Sequence, residues 1–493
     1  MTASPSLYVD VAAARIQHYI GRTRRLKGQR GASAWLSWAT SAGQVTKVLR
    51  DTPALRVHGA ELNPEAGQAD GLISVRLPGD SASPATAQAV AGTLAAYLRS
   101  VLPSVEISGL WGAGPSYLEA YRDQMKPLRD DPPLVSLPPS AGFPPLESCA
   151  ECRTDPVAGQ IEIHEEALGV CLDCLARYQD LYRGPGLAAQ PHRPGAGTPG
   201  ELPIYAEEAD LACALGRDPS TGTVEDFQDL AALGGQETWR NHIATVYADG
   251  NAIGALFDRI AARGDPGLKE QASAASSAAT RQSLLEATRA VLGEDPREPV
   301  PVIPHIVGGD DLVVSVVADR AWRFTVSYLD AFRAHASGIP GAGDASGAAL
   351  PSASAGLVFA HMKFPFRRAA ELAAGRLRAA KQQFHGTSPA VAWLDVTRDG
   401  EQPPPSLRAW ALDDLLALED ALAALRTDIE PSGRAVLERL VDTGRPDVSL
   451  ARLREHARRL DRGAVVEPFL AGLDAGPGTE RMAGALSVAR WWR

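Results

Sequence analysis

The sequence contains no apolar run long enough to cross a lipid bilayer. No window of the 493 residues approaches the roughly 20 consecutive apolar residues that a membrane-spanning helix requires. The N-terminal segment Met1–Asp10 also lacks the basic start and the long apolar core of a signal peptide. These absences exclude an integral membrane protein, and they predict a cytoplasmic protein without a membrane partner.

The chain also has no excess of positive charge. It contains 49 lysines and arginines against 59 aspartates and glutamates, so its formal net charge is −10. Because a protein that coats nucleic acid nonspecifically carries the opposite balance, we expect no duplex DNA partner. One local basic cluster lies on and just after a helix predicted at about 13–27. It is expected either to contact an RNA backbone or a partner protein or to be a solvated helix face, and it comprises Arg22, Arg24, Arg25, Lys27 and Arg30.

Cysteine is scarce, and four of the five cysteines fall into two closely spaced pairs. Cys149 and Cys152 form the first C-x2-C pair, and Cys171 and Cys174 form the second. In a reducing compartment this spacing indicates four thiolates around one Zn²⁺, with two disulfides as the alternative. Four thiolates leave no open coordination position, so a structural zinc is expected. Cys213 stands alone on an apolar stretch and is predicted to be buried.

The pattern of apolar runs repeats along the chain, which is too long for one ordinary domain. Each copy follows the order β-α-β-β-α-β, which predicts an α+β fold with two ferredoxin-like palm domains, each an antiparallel sheet with helices on one face. This layout is typical of many polymerases and nucleotide cyclases. The predicted division is a first palm over 1–145, a four-cysteine module over 146–183, a Gly/Pro-rich linker over 184–202, a second palm over 203–400 and a C-terminal helical bundle over 401–493.

Three carboxylates of the second copy have the arrangement that two-metal phosphoryl chemistry requires. Gly308–Asp311, with the sequence Gly-Gly-Asp-Asp, lies between two apolar runs and is predicted to form the tip of a β-hairpin. Asp249 ends the first strand of the same copy. Carboxylates from these two places can hold two Mg²⁺ or Mn²⁺ ions that clamp the attacking and leaving oxygens. We expect Asp249 and Asp310 to bridge the metals, while Asp311 assists or orients.

The residues around these carboxylates predict a nucleotide site. Glycines after Asp249 and at the hairpin tip allow a triphosphate to approach the backbone, in the first case at a helix N-terminus. Two lysines are candidate phosphate partners, although each is individually typical of a protein surface. Taken singly, each motif is also typical of a plain turn. The candidate nucleotide-binding residues are Gly250, Asn251, Gly254, Gly308, Gly309, Lys363 and Lys381.

Five segments together carry a family resemblance. They are Tyr8–Val11, Ile20–Leu36, Tyr247–Gly254, Gly308–Asp311 and Ser354–Pro365. With the four-cysteine insert and the C-terminal helical region, they resemble the large signalling subunit of type III CRISPR interference complexes, the Cas-ten or Cmr-two family. The resemblance covers essentially the whole chain, and it adds Ser354 to the candidate nucleotide-binding residues.

The resemblance implies a specific activity and specific partners. In that family the palm pair binds two ATP molecules and joins them 3′–5′ into cyclic oligoadenylates once target RNA is bound. Guide and target RNA and other CRISPR effector subunits are therefore expected partners, and ATP is the expected substrate, although the residues alone leave ATP and GTP both open. One alternative is a stand-alone nucleotide cyclase or polymerase outside CRISPR. Another is a non-catalytic palm scaffold that binds RNA or protein.

Two departures from the family pattern limit the activities that we expect of this chain. Many members carry an N-terminal nuclease domain with a His-Asp motif, but none of the ten histidines here is followed by aspartate. No nuclease activity of that kind is therefore expected. The first palm has Gly59–Gly67 where the hairpin motif would stand, and its Asp10 lacks an acidic partner. We expect the first palm to hold a nucleotide or to act as a scaffold, which leaves one catalytic centre.

Overall fold

The computed structural model of the chain describes most but not all of its residues. The predicted Gly/Pro-rich linker over 184–202 lies outside the described residues. Of the helices that are described, none combines the length and the apolar character needed to cross a membrane. The described residues are 5–23, 26–67, 71–79, 83–138, 147–163, 166–178, 211–218, 222–224, 226–235, 241–295, 297–343, 349–404, 406–441 and 445–492.

The first palm is built on a five-stranded antiparallel sheet with the order β2-β3-β1-β4-β5. Its four strands β4-β1-β3-β2 have the order of a ferredoxin-like β-α-β-β-α-β unit, as predicted. Residues Leu7–Val11 of the central strand are all buried, so this part of the strand lies between helices and loops. The strands are Ser6–Ala14 (β1), Glu61–Leu62 (β2), Leu72–Leu77 (β3), Glu106–Gly114 (β4) and Leu134–Ser136 (β5).

The helices of the first palm that follow Ser41, Ser83 and Ser116 begin at a serine cap. Ser83 accepts the N–H of Thr86, and Pro84 occupies the first helical position of Pro84–Val101. The predicted basic helix over 13–27 is wrong, because β1 continues to Ala14 and Arg15 has a left-handed φ of 51°. Only a short helix follows before the chain turns. The helices are Ile16–Ile20, Leu26–Thr40, Ala42–Asp51, Pro53–Val57, Pro84–Val101 and Tyr117–Ala120.

The four paired cysteines belong to a small module that is fixed to the first palm. Strands Gly159–Ile163 (β6) and Glu166–Val170 (β7) form an antiparallel ribbon, and helix Leu172–Tyr178 follows them. This helix packs against Leu26–Thr40 so closely that a Cβ at Gly31 would collide with the backbone carbonyl of Arg177. Glycine at this position therefore permits the contact between the module and the palm.

The second palm is built on a six-stranded sheet with the order β13-β12-β11-β8-β10-β9. Its strands β11-β8-β10-β9 repeat the ferredoxin-like order of the first palm. β12 adds parallel to β11 through a crossover helix, and β13 closes the edge. The strands are His242–Asn251 (β8), Val302–Gly308 (β9), Asp311–Val317 (β10), Ser352–His361 (β11), Ala390–Asp395 (β12) and Trp410–Ala411 (β13).

Helices cover both faces of the second sheet, whereas the sequence predicted helices on one face only. The even-numbered residues Ala244, Val246 and Ala248 of β8 pack into the large core below three helices. The odd-numbered side of β8 faces the crossover helix Phe366–Gln383, which packs on β8, β11 and β12. The helices of this region are Phe227–Ala232, Ile253–Arg263, Pro266–Val291, Ala321–Ala336, Phe366–Gln383 and Val396–Asp399.

The C-terminal region is helical, as predicted, and shares its core with the second palm. Leu422, Leu453 and Leu486 are buried in the same apolar cluster as Trp322 and Phe359 of the second palm. Packing of this extent makes the helical region a continuation of the palm core. Its helices are Leu412–Ala417, Glu419–Thr427, Pro431–Val441, Pro446–Arg459, Gly463–Val466 and Ala475–Ala489.

Candidate active site

Gly308–Asp311 forms the tip of the β9–β10 hairpin. Gly308 pairs with Asp311, so Gly309 and Asp310 make a two-residue turn. Gly309 has a φ of 59°, while Asp310 is not among the residues with positive φ, which is the arrangement of a type II′ turn with glycine at its first central position. No described atom lies within 4 Å of a Cβ built at Gly308 or Gly309. The tip is therefore open to a ligand.

The three predicted carboxylates meet at this tip. Leu312 pairs with Ala248 across β10 and β8, so Asp311 stands opposite Asp249 at the next position of the ladder. The N–H of Gly250 donates to the carboxylate of Asp310. A Cβ at Gly250 would collide with that carboxylate, so only glycine lets Asp310 approach the end of β8.

Burial and electrostatic repulsion act together on the pKa of the two hairpin carboxyl groups, Asp310 and Asp311. Burial raises the pKa of Asp310, and the charge of Asp249 raises it further. Burial likewise raises the pKa of Asp311, with added contributions from Asp249 and Asp310. Lys381 opposes both shifts. The cluster thus lacks sufficient positive charge among its described neighbours to balance three ionised carboxylates.

Lys381 is the phosphate-partner candidate that the structure brings to the site. It lies near the end of helix Phe366–Gln383, and its ammonium contacts the carboxylate of Asp249 and donates to the carbonyl of Gly250 at 2.7 Å. The side chain of Asp249 remains about one third exposed. An all-oxygen donor set of three carboxylates fits Mg²⁺ or Mn²⁺, which prefer hard oxygen ligands.

Lys363, the second lysine candidate, lies at the wrong end of the sheet. Strand β11 runs from Ser354, which is opposite Asp249, to His361, which is opposite His242. At about 3.3 Å per residue this is roughly 23 Å, and Lys363 lies beyond it. The prediction that Lys363 contacts phosphate at this site is therefore wrong, because a strand with buried faces carries its two ends to opposite edges of the sheet.

The structure also contradicts nucleotide contact by the side chains of Asn251 and Ser354. Both are buried, and the amide of Asn251 donates to the hydroxyls of Ser352 and Ser354 at 3.1 and 3.0 Å. Asn251 also donates to the carbonyl of Ser388 at 3.2 Å. These bonds brace the ends of β8, β11 and β12. Gly254, by contrast, is exposed on the first turn of helix Ile253–Arg263, with no described atom near a Cβ built there.

Helix Pro266–Val291 contacts the backbone of the hairpin tip. This contact was not predicted from the sequence. The hydroxyl of Thr280 donates to the carbonyl of Gly309 at 2.7 Å. Thr280 belongs to a stripe of small polar residues at helical spacing in an otherwise alanine-rich helix. This stripe is the feature of the sequence that could have indicated a polar contact by this helix. Its members are Ser273, Ser276, Thr280 and Ser283.

In the first palm, Asp10 occupies the position that Asp249 has in the second, but its side chain is buried. Asp10 stands opposite Ser74 on β3, and the hydroxyl of Ser74 donates to one of its carboxylate oxygens at 2.5 Å. Tyr117 donates to the other oxygen at 2.8 Å. Burial raises the pKa of Asp10 despite these bonds. Its carboxylate is thus bonded within the palm and does not face solvent, which favours a scaffolding role over a metal site.

The four paired cysteines form one cluster, whose ligand sulfurs all lie within 4.8 Å of one another. The sulfurs of Cys152 and Cys171 are 3.8 Å apart, which matches the about 3.8 Å edge of a tetrahedron with Zn–S bonds of about 2.3 Å. The cysteines are all unpaired by disulfides, so the donor set fits Zn²⁺. Cys213 is exposed, and the prediction that it is buried is wrong.

The basic cluster at the start of the chain does not form an exposed binding face where it is described. Arg22 is largely buried and bonds to Asp155 of the cysteine module at 2.5 Å. Arg30 is buried and donates to the carbonyl of Val224 at 2.9 Å. For these two arginines, both RNA contact and a solvated helix face are wrong, because both guanidinium groups bond within the protein. Arg24 and Arg25 lie outside the described residues, and the side chain of Lys27 is not described.

Comparison with known proteins agrees with this geometry. Residues 242–387 match the family model of Cas10/Cmr2, second palm domain. A search of curated protein sequences gave no significant match. The crystal structure of a Csm1–Csm4 cassette in complex with cA4 is similar with a TM-score of 0.59 at 16% identity, over 99% of this chain and 70% of that chain.

Two further solved structures show the same similarity. The Csm1–Csm4 cassette in complex with one ATP has a TM-score of 0.57 at 15% identity, over 99% of this chain and 70% of that chain. The Csm1–Csm4 subcomplex of the type III-A CRISPR-Csm interference complex has a TM-score of 0.57 at 15% identity, with the same coverage of 99% and 70%. At this identity the matches establish a shared fold. Residues 242–387 therefore match the second palm domain of Cas10/Cmr2, in agreement with the resemblance in the sequence, and the chain has the fold of Csm1.

Proposed function

We propose that the chain is a Mg²⁺- or Mn²⁺-dependent nucleotidyltransferase that joins ATP through 3′–5′ phosphodiester bonds into cyclic oligoadenylate. The observation that carries this proposal is the convergence of Asp249, Asp310 and Asp311 at an open hairpin tip. A non-catalytic scaffold has no need for three partly buried carboxylates that repel one another, because such a cluster destabilises the fold unless a cation balances it.

The described residues have separate roles in the proposed reaction. Asp249 and Asp310 would hold the metals, and Asp311 would complete the oxygen donor set. Bound divalent ions would supply the positive charge that stabilises an in-line attack of a 3′-hydroxyl on an α-phosphate with loss of pyrophosphate. Gly308 and Gly309 leave room for the nucleotide at the tip. Lys381 would balance part of the carboxylate charge and is close enough to meet a phosphate oxygen.

The start of helix Ile253–Arg263 gives the triphosphate a second contact. Ala252 precedes the helix with a φ of 59° and provides no side-chain cap among the described residues. The first backbone N–H groups of the helix are therefore free to donate to an anion. Gly254 on the first turn is exposed, and no described atom lies within 4 Å of a Cβ built there, so this approach is open.

We propose that the chain acts as the signalling subunit of a type III CRISPR antiviral complex, with guide and target RNA and other effector subunits as its partners. The support is that the similar solved structures are Csm1–Csm4 assemblies, one of them bound to cA4 and another to one ATP. In the same proposal Zn²⁺ is structural, and its ligands are Cys149, Cys152, Cys171 and Cys174.

Incubation of the purified chain with each nucleoside triphosphate and Mn²⁺ tests the proposal. The reaction is run with and without guide and target RNA, and products are identified by mass spectrometry. We expect cyclic oligoadenylate from ATP and a higher yield when target RNA and the partner subunits are present. Absence of any phosphodiester product under all these conditions would refute the enzymatic proposal. Equal product from the chain alone would instead support a cyclase that works outside a complex.

A further inference from the structure

The two palms meet at a hydrogen bond close to the three carboxylates. The amide of Gln17, on helix Ile16–Ile20 of the first palm, donates to the hydroxyl oxygen of Tyr247 at 2.5 Å. Both side chains are half-buried. The same short helix leads to Gly21, where a Cβ would lie 3.0 Å from the Cβ of Arg367 at the start of the crossover helix. The first palm is therefore packed directly against the sheet face that carries the carboxylates.

Tyr247 shares that face with the acidic residues. It lies two positions before Asp249 on β8, and it pairs with Val313, which lies two positions after Asp311 on β10. Residues two apart on a strand point to the same face, and diagonal neighbours across a ladder are roughly 7–8 Å apart, which is within reach of a tyrosine side chain. Burial raises the pKa of Tyr247, and the nearby carboxylate of Asp311 raises it further.

We propose that Tyr247, oriented by Gln17 of the first palm, is a positioning residue for the Asp311 carboxylate. The inference rests on the proposed metal-dependent function. The N–H of the Gln17 amide can only donate, so the Tyr247 oxygen accepts and its single hydrogen is directed elsewhere. Asp311 is the acceptor on the same face. The metal-binding geometry of the second palm thus depends on how the first palm packs against it.

Direct Mn²⁺ binding tests this proposal without reliance on turnover. Free Mn²⁺ is measured by electron paramagnetic resonance during titration of the full chain. We expect Tyr247→Phe to weaken Mn²⁺ binding about 3- to 10-fold, since one hydrogen bond to a charged group is lost. Gln17→Leu is expected to weaken it by a smaller factor, because the hydroxyl keeps its proton but is free to rotate.

The Gln17→Glu variant tests whether residue 17 acts by orienting the Tyr247 hydroxyl or only by packing against it. A carboxylate at this position accepts the proton of Tyr247 and withdraws it from Asp311, so we expect a larger loss of Mn²⁺ affinity than in Gln17→Leu. The combined Gln17→Leu/Tyr247→Phe variant is expected to lose no more than Tyr247→Phe alone, because both changes remove one interaction. In activity assays, the Mn²⁺ concentration for half-maximal rate should rise while the KM for ATP changes little.

Two reference variants make the outcomes distinguishable. Tyr97→Phe removes a half-buried hydroxyl that donates to the carbonyl of Ala39 at 3.0 Å, away from the site, and it should bind Mn²⁺ like the wild type. Asp249→Asn should bind much less Mn²⁺. If Asp249→Asn binds less but Tyr247→Phe binds as the wild type does, the positioning role is refuted and the proposed function stands. If Asp249→Asn and the wild type bind equally, both fail.

Discussion

Asp10 and Asp249 occupy equivalent positions on the central strands of the two palms, but only Asp249 is left open. The residue opposite Asp10 is Ser74, and the residue opposite Asp249 is Asp311. Asp10 is bonded by two hydroxyls and is 6% exposed, whereas the side chain of Asp249 is 34% exposed and meets Lys381. The same strand position therefore holds a buried, hydrogen-bonded carboxylate in the first palm and a candidate metal ligand in the second.

Matched alanine substitutions should separate these two roles. Asp10→Ala leaves the hydroxyls of Ser74 and Tyr117 without their acceptor in a buried site, which should lower the free energy of unfolding by about 1–3 kcal/mol. Asp249→Ala removes one of three repelling carboxylates, so its unfolding free energy should change little while product formation is lost. Urea unfolding and product assays on both variants check this. Equal stability losses would contradict the distinction.

Gly250 should tolerate no side chain, unlike the nearby Gly254. Gly250→Ala would push a methyl group into the carboxylate of Asp310, which displaces a proposed metal ligand and should lower product formation at least about tenfold. Gly254→Ala meets open space on the first turn of a helix, so its activity should stay within about twofold of the wild type. Initial rates at saturating Mn²⁺ distinguish the two. Similar rates in both variants would refute the close approach of Asp310.

The cysteine cluster should contribute stability through Zn²⁺. The module helix Leu172–Tyr178 is anchored to the first palm by Arg177, which is paired with Asp173 of the same helix and donates to the carbonyl of Tyr19 at 2.8 Å. Cys152→Ser should therefore lose the metal and destabilise the first palm by about 3 kcal/mol. The exposed Cys213→Ser is the matched control and should retain it. Metal analysis and thermal unfolding test this, and equal zinc content in both variants would count against the site.

His305 should make the fold sensitive to acid. It is buried against Phe366 and bonds to the hydroxyl of Ser315 at 2.8 Å. Burial lowers the pKa of His305 to about 3, whereas an exposed histidine titrates near about 6.5. Between these values the unfolded chain binds one more proton than the native protein. Stability is therefore fully present above about pH 6.5 and is lost by up to about 1.4 kcal/mol per unit as the pH falls toward 3.

Urea unfolding at pH 7, 6, 5 and 4 measures this sensitivity. His305→Gln removes the titrating group and should flatten the dependence of stability on pH by about one proton. His18→Gln, at an exposed position, should leave the dependence as it is in the wild type. A wild-type slope that matches the His305→Gln slope would show that His305 is not the responsible group.

The sequence predicted the features that depend on local pattern. Alternating apolar residues and the Gly-Gly turn were sufficient for the β-α-β-β-α-β order and for the hairpin at Gly308–Asp311, since period and turn chemistry are local properties. Asp249 could be placed because it follows an apolar run in the sequence. The cysteine spacing likewise predicted one four-thiol cluster, because a metal-binding knuckle is a local motif.

The errors concern residues whose role depends on tertiary contacts. Lys363 was assigned to the site from its nearness in sequence to a strand, but the direction of β11 carries it to the other edge of the sheet. Arg22 and Arg30 looked like surface cations, but each finds a partner far away in the sequence. The side chains of Asn251 and Ser354 point into the protein, because they form a hydrogen bond with each other across neighbouring strand ends. These positions and contacts are set by residues far apart in the sequence, so a short stretch of sequence does not predict them.

The most direct test of the account is product formation by an Asp310→Asn/Asp311→Asn variant. Both substitutions preserve side-chain shape and remove charge, so the hairpin should fold while the proposed metals lose their ligands. With ATP, Mn²⁺, RNA and partner subunits present, the wild type should make cyclic oligoadenylate. The variant should make at least about a hundredfold less, since metal-bound charge supplies several kcal/mol of the acceleration. Equal product from the two proteins would show that the chemistry does not take place at Gly308–Asp311.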